Sequence, residues 1–107
     1  MLPVAVYQTE TITLLDAVTS ATESQVKPLG SANSTFQVTS DGSHAGTSLV
    51  KIWVSNDNVG WIWKATMSVT GASDSAGFAL TEVWKWVKAE CTVHGDDTNG
   101  ITVTMGK

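Results

Sequence analysis

The sequence predicts an all-β domain of about seven to eight short antiparallel strands, arranged as a sandwich or barrel. Composition is the first reason: Thr, Ser, Val and Gly are abundant, while Leu, Glu, Lys and Arg, which build exposed helices, are scarce. Periodicity is the second, because no window of twelve or more residues carries an i, i+3, i+4, i+7 apolar stripe; the nearest, Asp16 to Gln25, is rich in Thr and Ser. Spacing is the third, since turn residues divide the chain into short alternating runs. A chain of 107 residues that is 42% hydrophobic holds one core, so residues 10–107 are read as one domain and residues 1–9 as an N-terminal arm.

The elements follow in order. Glu10 to Leu15 is the first strand, which Tyr7 to Thr9 either extends or precedes as part of the arm. Asp16 to Ala32, polar and containing Pro28 and Gly30, is a long connection that crosses between sheets or folds over an edge. Asn33 to Thr39 places Phe36 and Val38 on one face, and the segment from Ser40 to Gly46 is a turn-rich loop. Ser48 to Ser55 is the clearest strand, with Val50, Ile52 and Val54 on the dry side and Leu49, Lys51 and Trp53 opposite. Asn56 to Gly60 closes a hairpin. Trp61 to Val69 returns, and strict alternation groups Trp61, Trp63, Ala65, Met67 and Val69 as a core face. Phe78 to Leu80 is a short edge strand. Trp84 to His94 turns Val87, Ala89, Cys91 and Val93 inward, and Ile101 to Met105 closes the domain.

Charge and cysteine content exclude several functions. Ten acidic residues against six Lys, with no Arg, give a net charge of -4 and no basic surface for nucleic acid or an anionic membrane. Cys91 is the only cysteine, so internal disulfides, a cysteine-based zinc site and a CxxC redox motif are excluded. The start, Met1 to Val6, has neither a basic n-region nor a full h-region, and no apolar run is long enough to span a membrane; neither export nor a membrane partner is expected.

Little in the chain suits catalysis, and no cofactor or metal is expected. Cys91 lies between Ala89 and Val93 on an inward face, the setting of an inert packed thiol. His44, in a loop of Gly and Ser, and His94, at a strand end, are expected to be solvated and lack a metal-binding spacing. Asp96 to Gly100 offers oxygen ligands, but the same residues serve any hairpin turn and the twelve-residue calcium loop is absent.

Five Trp in so short a chain are the main functional signal. Trp53, Trp84 and Trp86 lie opposite the apolar faces of their strands, beside Lys88, Glu90 and Thr92. Unless a bulge, a sheet edge or the Asp16 to Ala32 connection covers them, they form an exposed aromatic cluster, suited to a subunit interface, a partner or a sugar-stacking platform.

A set of motifs points further: Ser34 to Thr39 (STFQVT), Val54 to Trp61 (VSNDNVGW), Gly77-Phe78, Trp84 to Ala89 (WKWVKA) and Ile101 to Gly106 (ITVTMG). The set resembles the small decoration, cement or staple proteins of tailed-bacteriophage capsids, over most of the chain from about residue 10 onward. The resemblance implies an antiparallel β-sandwich, jelly-roll-like, with no enzymatic activity. It implies a virion protein on the outer capsid surface, made in the bacterial host cytoplasm, whose partners are the major capsid protein and further copies of itself in a dimer or trimer. Trp53, Trp84, Trp86 and Lys88, together with Leu2, Val4, Val6 and Tyr7 of the arm, are the residues expected at the contact with self or capsid. A carbohydrate-binding module, with a surface glycan as partner, and a tail or fibre subunit are the competing readings.

Overall fold

The computed structural model describes residues 10–30, 33–95 and 98–107. Among them the regular structure is β-strand: β1 (Thr11–Val18), β2 (Thr22–Glu23), β3 (Lys27–Pro28), β4 (Ser34–Ser40), β5 (Thr47–Ser55), β6 (Ile62–Thr70), β7 (Ser75–Leu80), β8 (Trp86–Val93) and β9 (Ile101–Gly106). One antiparallel sheet has the order β1-β9-β4-β7. The other has the order β2-β8-β5-β6, with β3 also paired to β8.

With β2 and β3 counted as one position along β8, the molecule has eight strand positions in two sheets of four. The chain changes sheet at every connection except the β5–β6 hairpin, which is the jelly-roll order. The expected sandwich is therefore present, and part of its edge comes from the Asp16 to Ala32 segment. That segment crosses between the sheets as expected, and it supplies β2 and β3 on the way.

Alternation explains most of the core. In β4, Ser34, Phe36, Val38 and Ser40 are buried and the intervening residues exposed. Val50, Ile52 and Val54 of β5 meet Val87, Ala89 and Cys91 of β8 and Ile101, Val103 and Met105 of β9 in one cluster closed to solvent. Residues 1–9, and with them Leu2, Val4, Val6 and Tyr7, lie outside the described part.

Four register shifts break the alternation, and three of them move side chains that sequence parity places elsewhere. In β1 the register advances from Thr13↔Thr104 to Leu15↔Val103, so Leu14 is the extra residue and both Leu14 and Leu15 are buried. A second irregularity follows, where Ala17 takes a positive φ of 49°. Gly100 packs against it: a Cβ at residue 100 would lie 2.6 Å from the Ala17 carbonyl carbon, so only glycine fits.

In β8 the pairing steps from Val50↔Cys91 to Leu49↔Val93, leaving Thr92 as the extra residue. Val93 is consequently 48% exposed, although alternation places it inward with Cys91. In β6 it steps from Ile52↔Ala65 to Trp53↔Trp63, so Lys64 is the extra residue. Met67 and Val69 stay in the core, but Trp63 is 56% exposed and Trp61 half-buried; their expected core position is overturned by one inserted residue.

Candidate functional site

The β6 bulge assembles an aromatic surface on the outer face of the β2-β8-β5-β6 sheet. Trp53 of β5 is flanked by Trp63 of β6 on one side and Lys88 of β8 on the other. One rung along, Lys51 is flanked by Thr66 and Glu90, and Glu90 by Glu23. At the opposite end Trp86 pairs with Ser55, and Trp61 lies just before β6. Four of the five tryptophans thus share one face.

Cations lie against these rings. The Lys51 ammonium is 5.9 Å from the Trp53 ring centre and 5.3 Å from that of Trp63, and the Lys88 ammonium is 4.6 Å from that of Trp61. Each is within the range where the ring quadrupole attracts a cation. The indole edges are held as well: Trp53 Nε1 donates to Glu90 Oε1 at 3.1 Å and Trp63 Nε1 to Thr66 Oγ1 at 3.1 Å. Lys88 also pairs with Glu23 at 3.1 Å, tying the β2 edge to the cluster. These contacts hold the large side chains in place before any partner arrives, which lowers the ordering cost of binding.

Trp84 does not join them. It precedes β8, packs against the core, and donates from Nε1 to Glu82 Oε1 at 3.1 Å; Glu82 also pairs with Lys64 at 2.6 Å. Of the residues the sequence singles out, the fold therefore gathers Trp53, Trp86 and Lys88, sets Trp84 apart, and adds Trp61, Trp63 and Lys51. The sequence signal at the added pair is the unbroken apolar run Trp61-Ile62-Trp63, which puts large apolar side chains on both faces of the strand, so some are exposed whichever face is the core, without saying which.

The candidate chemical groups are engaged structurally. Cys91 is buried, and burial followed by the neighbouring Glu90 charge pushes its thiol above the usual range, the opposite of an activated nucleophile. His44 is 3% exposed and not solvated as expected, because its loop folds onto the start of β5. Its Nε2 lies 3.0 Å from Ser48 Oγ and its Nδ1 3.2 Å from the Gly71 carbonyl oxygen. His94, half-buried, contacts the Val18 carbonyl through Nε2 at 2.8 Å, and the two imidazoles meet edge to face at 5.6 Å.

A Ser–His contact is also the start of a nucleophile. Here Ser48 is fully buried and accepts the Gly95 N–H, so the pair closes a loop junction and no substrate reaches it. Among the described residues no group of three or more His, Cys, Asp or Glu is placed to hold a metal ion.

No protein-family model matches the chain, and no curated protein matches its sequence. Among solved structures it is similar to the SPBc2 prophage-derived protein YomS, with 17% identity and a TM-score of 0.63 over 98% of this chain and 96% of that one. It is similar to the PBSX exported protein XepA, with 15% identity and a TM-score of 0.57; the match covers 99% of this chain and only 39% of XepA. A carbohydrate-binding module, CBM36, in complex with calcium and xylotriose, is similar at 13% identity and a TM-score of 0.50, over 89% of this chain and 76% of that one. At these identities the likeness is one of fold, the β-sandwich.

Proposed function

We propose that this protein is a non-enzymatic structural protein of a phage virion that decorates the outer capsid surface, and that it docks through the Trp53, Trp61, Trp63 and Trp86 face. The observation that carries this reading is the cluster itself: four tryptophans with Lys51 and Lys88 on one sheet face, three of the rings against a lysine ammonium and Trp63 more than half exposed. Such a face costs solubility unless something covers it, and tryptophans are the residues that dominate binding energy when they are covered. The fold shared with a prophage-derived protein supports a phage setting. In this reading the major capsid protein is the partner, and self-associated copies bridge neighbouring subunits, each contact raising the effective concentration for the next.

Sugar stacking on the same face is the alternative. Lys51 over Trp53 and Trp63, and Lys88 over Trp61, place ammonium groups where a pyranose ring would lie, which favours a carboxylate-bearing protein surface over a neutral sugar.

The test begins with purified particles from the source, in which this protein is quantified against the major capsid protein by gel densitometry or mass spectrometry. A copy number comparable to the capsid subunit is expected. Rebinding of Trp53→Ala and Trp63→Ala variants to stripped particles should be weakened at least roughly 30-fold, the loss of a central hot spot. Absence from particles, or rebinding equal to the unaltered protein, overturns the proposal. A tryptophan fluorescence response to oligosaccharide that is lost in the same variants favours the sugar reading.

A further inference from the structure

The opposite outer face of the sandwich, on the β1-β9-β4-β7 sheet, has a different chemistry. A shallow groove of about 690 Å³ lies across β4 and β7 and reaches β9 and the start of β1. Its hydrogen-bonding side chains are Thr11, Thr35, Gln37, Ser75 and Thr104. Its floor is low because Gly77 and Ala79 of β7 and Gly106 of β9 present almost no side chain. Phe36 and Phe78, stacked at 6.1 Å, back the same strands from the core side.

None of the lining residues is ionisable, in a chain with ten acidic and six basic residues. The groove also contains neither Trp, Tyr nor Arg, the side chains that anchor protein partners. A phosphate or sulfate finds no cation here, and an ammonium group finds no carboxylate.

We propose that this groove binds a neutral oligosaccharide. Hydroxyls and a side-chain amide both donate and accept, matching the alternating donors and acceptors of sugar hydroxyls without any charge to desolvate. Small residues within strands let a ligand approach the backbone closely. The volume lies within the range of small-molecule sites. Because the two outer faces of a sandwich point in opposite directions, this groove stays open when the tryptophan face is covered. The protein can then hold one partner on each side.

The experiment is an amide chemical-shift titration of the isotope-labelled full chain with neutral hexasaccharides of xylose, cellulose, mannan and amylose linkage, and with a heparin hexasaccharide as the anionic control. At least one neutral probe should give saturable shifts centred on the amides of Thr35, Gln37, Gly77 and Thr104, and heparin none. Gln37→Ala should weaken binding roughly tenfold. Ala79→Glu, at an exposed position, should abolish it, whereas Trp53→Ala on the far face should leave it unchanged. The proposal is overturned if no neutral probe shifts these amides at millimolar concentration, if the shifts centre on the tryptophan face, or if they follow protein concentration and not sugar, which would assign the groove to a second copy. Equal binding by a folded Ala79→Glu variant also overturns it.

Discussion

Trp53 and Trp63 stand opposite one another across the β5–β6 ladder, on the solvent side of the sheet, and the Lys51 ammonium lies within 6 Å of both rings, at 5.9 and 5.3 Å. The pairing is reached because Lys64 is bulged out of the ladder between Ala65, which faces Ile52, and Trp63. Without the bulge, Lys64 would occupy the place opposite Trp53 and Trp63 would enter the core beside Val54, where β5 and β8 already fill the space.

Deleting Lys64 should therefore leave the fold and the outward tryptophans intact, because the shortened strand then reaches the observed pairing by plain alternation. The cost is the Lys64–Glu82 ion pair at the surface, a small loss. Tryptophan emission and acrylamide quenching check this: both should match the unaltered protein, and a blue-shifted, protected emission would show that the rings had turned inward.

Ser48 should matter far more than its size suggests. Its hydroxyl donates to His44 Nε2 and accepts the Gly95 N–H, while His44 Nδ1–H donates to the Gly71 carbonyl, the one assignment that satisfies every group. Ser48→Ala leaves a buried ring nitrogen and a backbone N–H without this partner, a loss of about 1–3 kcal/mol, whereas Ser68→Ala on the exposed side of β6 should stay within about 0.5 kcal/mol. Urea unfolding of the two variants measures the difference, and equal midpoints would refute the role.

Acid should loosen the β5–β6 turn. Val59 and Gly60 N–H groups and then the Ser55 hydroxyl hold the Asp57 carboxyl below the usual carboxylate range, and it is exposed. Since the folded value is the lower one, Asp57 stabilises the fold above its unfolded value and the contribution disappears as pH falls through the folded value, below about pH 4. Glu82, held down by Lys64 and then Trp84, adds in the same direction. Asp57→Asn should flatten the decline of the urea midpoint between neutral and acid pH; an unchanged slope would place the acid sensitivity elsewhere.

The legible part of the molecule is the part that strict alternation governs. Val50, Ile52 and Val54, Phe36 and Val38, and Ile101, Val103 and Met105 are recognisable as core from the period-two pattern, and they are buried. The hairpin at Asn56 to Gly60 is recognisable from Asn, Asp and Gly, and Asn58 does take a positive φ of 58°. Half of the aromatic face was legible too, since Trp53 and Trp86 lie on unshifted stretches of β5 and β8.

Trp61, Trp63 and Val93 were not legible, because each lies beyond a bulge whose position depends on the strand across the ladder. His44 was misread for a related reason: its partners, Ser48 and Gly71, come from β5 and the β6–β7 turn, and local composition reports only the polar loop that carries it.

Alone, the sequence determined the strand-rich class, the single core, the main turns and the net acidic charge, because these follow from composition and local periodicity. The tertiary structure decided which face each tryptophan occupies, which lysine caps which ring, and that a charge-free groove lies on the reverse side. Those outcomes depend on register between strands distant in the chain, where one inserted residue reverses every side chain that follows.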